Sequence, residues 1–157
     1  MKGNKEGVQR RLLDINPKVF YTPCGSHNIN LVLCDMANSC TKAVYFFGVV
    51  QRLYTLFSSS TKRWNILKNK VSKFTLKPLS QTRWERRIES VKAIRFQATK
   101  IRDVLLEFVE SSDQDSKTIS EANSLAKYEF GDFEFLMSLT IWYDVLFAIN
   151  SARKILQ

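Results

Sequence analysis

The stretch "TPCGSHNINLVLC", residues 22–34, holds the only histidine of the chain, three positions after a cysteine and at the head of an apolar run. Cys24 and His27 at this spacing could be half of a zinc site, a thiol nucleophile with its base, or a structural turn. A structural zinc site takes four Cys or His ligands, usually as two close pairs. The supply here is Cys24, His27, Cys34 and Cys40. Cys34 and Cys40, six residues apart on or beside one helix, do not bring two thiolates to one ion. A Cys-His nucleophile needs a third group to orient its base, and nothing marks that group or an oxyanion hole. The structural turn carries most weight, and no metal is assigned to it.

Other chemistries find less. The glycines at 3, 7, 25, 48 and 131 never form a phosphate-cradling loop. Two-metal phosphoryl transfer needs carboxylates converging from strand ends. Asp14 lies at a helix end, Asp35 lies within a helix, and the later carboxylates scatter as solvated or capping charge. Between residues 61 and 102, however, thirteen cations face only Glu85 and Glu89: Lys62, Arg63, Lys68, Lys70, Lys73, Lys77, Arg83, Arg86, Arg87, Lys92, Arg95, Lys100 and Arg102. Such a strip suits phosphates, through counterion release. Trp64 and Trp84 lie within it; an indole beside guanidinium groups can stack on an exposed base, although burial is the better expectation for each.

Composition frames these candidates. The chain has 157 residues, 45% apolar and 25% charged, as in an ordinary globular domain. Residues 1–102 carry 20 Lys/Arg against 5 Asp/Glu, and residues 103–157 carry 4 against 10. That asymmetry makes nucleic acid the leading class of partner, with ordinary solvated helix faces as the alternative. Three cysteines at irregular spacing form no disulfide framework and fit a reducing compartment. No uninterrupted apolar run approaches the ~18 residues of a membrane span, so neither export nor membrane insertion is expected.

The elements that must position these residues read as mostly α. Helical spacing at Val8, Leu12 and Leu13 ends at Asn16-Pro17, and β-branched and aromatic residues predict a short strand over 18–22. From Ser26 or His27, Ile29, Leu31, Val32, Leu33, Met36 and Ala37 make a helix apolar nearly all round, as if packed inside a larger body. A helix over 41–57 places Val44, Phe47, Val50, Tyr54 and Phe57 on one side, and Ser58-Ser59-Ser60 caps the next. Thr82-Arg83-Trp84-Glu85 matches a capping box and opens one long helix to about Phe108. A polar loop over 111–116, a short helix over 117–127 and a final helix over 132–157 complete the chain.

Four stretches together resemble a known family: "MKGNKEGVQRRLLDINPKVFYTPCGSHNINLVLCDM", "FFGVVQRLYTLFSSSTKRWNIL", "LKPLSQTRWERRIESVKAI" and "FEFLMSLTIWYDVLFAIN". The chain resembles the hAT superfamily of DNA transposases, especially the zinc-finger MYM-type protein 1-like and TTF-type zinc-finger proteins. The resemblance implies a fragment of an RNase H-like α/β core over 1–38, followed by the start of an all-helical insertion domain over 39–157. It implies that the catalytic acidic residues, and the Mg²⁺ they hold in an intact member, lie outside this chain. It also implies that His27 contacts a DNA phosphate, that Cys24 sets its turn, and that Arg83 and Trp84 form the family's R-W motif at an unstacked base. The expected function is residual DNA binding through 62–102, by Lys62, Arg63, Arg83, Trp84, Arg86 and Arg87 with His27, in the nucleus, without catalysis, cofactor or small-molecule substrate. A protein-interaction module docking on a partner or a related full-length transposase, and a gene-model fragment without function, stand as alternatives.

Overall fold

The computed structural model describes residues 7–18, 25–80, 84–110 and 115–155, and within them not the side chains of Gln9, Ser26, His27, Asn30, Trp84 and Glu85. The predicted strand over 18–22 falls outside these residues except for Lys18, which lies in a turn, and the capping box at Thr82 falls outside them too. The described chain is mostly helical and holds no strand. In order come α1 (Val8–Ile15), α2 (Gly25–Ser39), α3 (Thr41–Ser58), α4 (Thr61–Lys70), α5 (Trp84–Arg95), α6 (Ala98–Glu110), α7 (Ser116–Ser124), a π-helical turn (Leu125–Glu129) and α8 (Phe133–Ile155).

Helix α3 is the hub. It buries Ala43, Phe46, Phe47, Val49, Val50, Leu53, Leu56 and Phe57, a stripe wider than the predicted one, and packs against α2, α4, α7 and the π turn. Val44, expected on that stripe, is exposed instead. The stripe is centred near Leu53 and Phe57, and at about 3.6 residues per turn position 44 falls on the opposite face. Phe46 and Phe47 meet Trp142 of α8, and Phe57 meets Phe108 of α6. Each such ring removed from water contributes about 1.5–3 kcal/mol.

The predicted long helix breaks in two. Apolar periodicity continues from Ile88 to Phe108, but Phe96 and Gln97 form a turn, and the chain leaves α5 and enters α6 there. Gln97, only 5% exposed, causes no waste at the break. Its Oε1 accepts from the backbone N–H groups of Lys73 and Phe74, both at 3.1 Å, and its Nε2 donates to the carbonyls of Phe74 and Ala93, both at 2.9 Å. An apolar repeat reports which positions face inward; it does not report a polar side chain that ties a neighbouring loop.

That loop, residues 71–80, has no regular structure, and its backbone groups need other partners. Besides Gln97, Gln51 accepts from the Leu79 N–H, Ser90 donates to the Lys77 carbonyl, and Arg87 donates to the Ser80 carbonyl. Two further expectations shift. Ser60 holds the N-cap position of α4 but makes no side-chain cap bond, while Ser59 donates to the Leu56 carbonyl. The helix predicted to run to Lys127 passes at Leu125 into the π turn. Close approach governs its exit, because a Cβ on Gly131 would lie 2.3 Å from the Lys127 carbonyl oxygen.

Helix α7 starts where the Asp115 carboxylate accepts from the Thr118 N–H at 2.5 Å. A hydrogen bond from the Thr118 side chain, and with it this backbone bond, holds the Asp115 carboxyl below its ordinary pKa. A depressed carboxylate stabilises the fold above its unfolded value and loses that contribution as pH falls through its folded value. Asp115→Ala is therefore expected to lower the thermal midpoint at neutral pH, with the deficit vanishing in acid. An equal deficit at both pH values would refute the cap's role.

Candidate nucleic-acid interface

Tertiary structure redistributes the basic strip. Glu107 folds onto Lys70, Glu89 onto Lys77 and Asp144 onto Arg95, the last at 2.9 Å. The sequence count of only two opposing carboxylates missed Glu107 and Asp144, which come from α6 and α8. Lys68, Arg86 and Lys100 are exposed, with no ion-pair partner among the described residues.

The predicted contact residues separate. Lys62 is exposed at the start of α4, and Arg86 is exposed on α5. Arg63 is half-buried and donates to Thr118 and Ser59. Arg87, placed in the strip by sequence, is turned inward: it is 8% exposed, with its guanidinium 4.6 Å from the centre of the Phe47 ring. Burial pulls that guanidinium below its ordinary pKa. Its position corrects its assignment as a phosphate contact, since a cation needs its head in water or against the ligand to serve. Trp84 opens α5 and His27 lies in the first turn of α2, while Cys24 and Arg83 lie outside the described residues. Trp64 is half-buried, packed on the core and edge-on to Tyr54.

A different set of residues converges. Lys73 and Lys92 both lie over the Phe74 ring, and Arg95 lies over Phe96 at 5.3 Å and Tyr143 at 4.7 Å. No family model matches the sequence, and no curated protein or solved structure matches it either. The arrangement must be judged by its own chemistry. Contact between α5 and α8 is the most extensive among the described elements, and it carries Tyr143 and Phe147 of the acidic half against the basic half. Sequence reading missed them, because an aromatic pair at i and i+4 looks the same whether it faces core or solvent.

A second polar centre is internally compensated. Glu129 in the π turn is buried and accepts from the Tyr45 hydroxyl and from Arg52, which also donates to Glu121. The carboxylate holds the Tyr45 phenol above its ordinary pKa. An open groove of about 580 Å³ between α3 and α7 is lined by Arg52, Arg63 and Lys117, and equally by Asp115 and Glu121. Among the described residues no three His, Cys, Asp or Glu side chains gather where a metal ion could be held.

One helix bears on the membrane expectation. By length and composition alone, α8 is apolar enough to cross a membrane. Within it Asp144 pairs with Arg95 and Glu134 with Lys42, and its inner face packs on α5.

Proposed function

We propose that this chain binds DNA through the cations of residues 62–102, as a helical segment of an hAT transposase-like protein. The observation that carries this reading is charge: Lys68, Lys73, Arg86 and Lys100 stay exposed after folding, and cations that meet phosphates gain affinity by releasing counterions. In this reading α1 and α2 belong to an RNase H-like core and the later helices to the insertion domain. The exposure of Leu31, Val32 and Met36 on an otherwise apolar α2 supports it, since such a helix suits a larger body. Nuclear localisation follows from the same reading.

Gel retardation of a duplex at several salt concentrations tests it. Binding should weaken steeply with salt, and absence of binding at low salt would remove the proposal. By the same resemblance the catalytic carboxylates lie outside this sequence, so the chain by itself is proposed not to cleave DNA. Mg²⁺- or Mn²⁺-dependent cleavage by the purified chain, abolished by chelation, would contradict this.

A second reading rests on the exposed apolar residues Leu136, Met137, Ile141 and Val145 of α8. Contiguous apolar surface favours a protein partner, such as a related full-length transposase. Co-purification with that protein that persists after nuclease treatment would support this reading; loss on nuclease treatment would count against it.

A further inference from the structure

We infer that Phe74, Phe96, Tyr143 and Phe147, with the cations set among them, form a stacking platform for an unpaired DNA strand. The four rings follow one another across the surface, with centroids 6.0 Å apart from Phe74 to Phe96, 5.4 Å from Phe96 to Tyr143 and 6.0 Å from Tyr143 to Phe147. Phe96 is 51% exposed and Phe147 55%, so apolar ring surface faces water at two separate steps. Phe74 and Tyr143 are partly buried against the core, so they hold the exposed rings of Phe96 and Phe147 in place.

The cations decide what fits on the rings. Lys73 and Lys92 flank the first ring, and Arg95 lies against the second and third. The centre of a protein-protein interface is depleted of charge, whereas a surface for single strands combines a cationic track with aromatic faces on which bases stack. Asp144, paired with Arg95, is the one carboxylate bonded into this group among the described residues. A duplex keeps its bases stacked on one another and can use the cations alone. An unpaired strand can use both. The ridge joins the loop after α4, the end of α5 and the middle of α8, so only the folded chain contains it.

This inference rests on the DNA-binding proposal and extends it to a strand type and to named rings. The test is fluorescence anisotropy of the full chain with labelled oligo(dT) of about 16 nucleotides and with a duplex of equal length. Phe96→Ala and Phe147→Ala, both at exposed positions, are each expected to weaken oligo(dT) binding about tenfold. Duplex affinity and the salt slope should stay as in the wild type, because no cation is removed. Phe96→Trp, which keeps a π face, should retain wild-type affinity. Alanine variants that bind oligo(dT) like the wild type, or a Phe96→Trp variant as weak as Phe96→Ala, would overturn the platform and leave duplex binding standing. Failure of both oligo(dT) and duplex to bind at low salt would remove the platform and the proposed function together.

Discussion

Converting Lys68, Arg86 and Lys100 together to glutamine is expected to weaken duplex binding on the order of a hundredfold at low salt. All three are exposed, on α4, α5 and α6, and no ion pair holds them among the described residues. Each cation that neutralises a phosphate contributes close to one unit to the dependence of log affinity on log salt. Their loss should therefore flatten the slope as well as lower the affinity. Charge removal at solvated positions leaves the core intact, so the melting temperature should hardly move. A triple variant with wild-type affinity and slope would show that phosphates do not meet these residues. Arg87→Gln is not an equivalent test: its guanidinium lies over Phe47 inside the fold, and its replacement would act on stability.

The second large effect is on stability. Gln97→Leu keeps much of the side-chain volume but leaves the N–H groups of Lys73 and Phe74 and the carbonyls of Phe74 and Ala93 without their present partner. Unsatisfied polar groups away from water cost about 1–3 kcal/mol each. Partial hydration of the exposed Lys73 end limits the sum, and a loss of about 3 kcal/mol is expected. Urea denaturation should show a lower midpoint at an unchanged slope. Gln97→Glu should not rescue it, because a carboxylate accepts from the two N–H groups but cannot donate to the two carbonyls. A midpoint unchanged in Gln97→Leu would mean that the loop over 71–80 is held by its other ties.

These two sites differ in how far they could be read in advance. The cations of 62–102 are visible in sequence because charge density along a chain survives folding in part: Lys68, Arg86 and Lys100 remain on the surface. Arg87 does not, since its neighbours in space are Phe47 and Ser80 rather than its neighbours in sequence. Gln97 carries no sequence signal at all. A glutamine between two apolar turns is ordinary, and its four hydrogen bonds arise only when the loop after α4 lies against the α5–α6 junction. The chemistry first sought at Cys24 and His27 stays where sequence left it, since Cys24 and the His27 side chain lie outside the described residues.

By itself, the sequence determined a mostly helical chain, most of the inward faces of α3 and α6, the starts of α7 and α8 to within a residue and the opposition of a basic to an acidic half. Each of these follows from spacing along a single helix or from composition, which are local quantities. Tertiary structure alone decided where the long helix breaks, which cations are neutralised by Glu107 and Asp144, and that Phe74, Phe96, Tyr143 and Phe147 share one surface. Those depend on residues far apart in the chain meeting between α4 and α6, between the loop over 71–80 and Gln97, and across the α5–α8 contact, and no periodicity within one element encodes which neighbour its exposed side chains will meet.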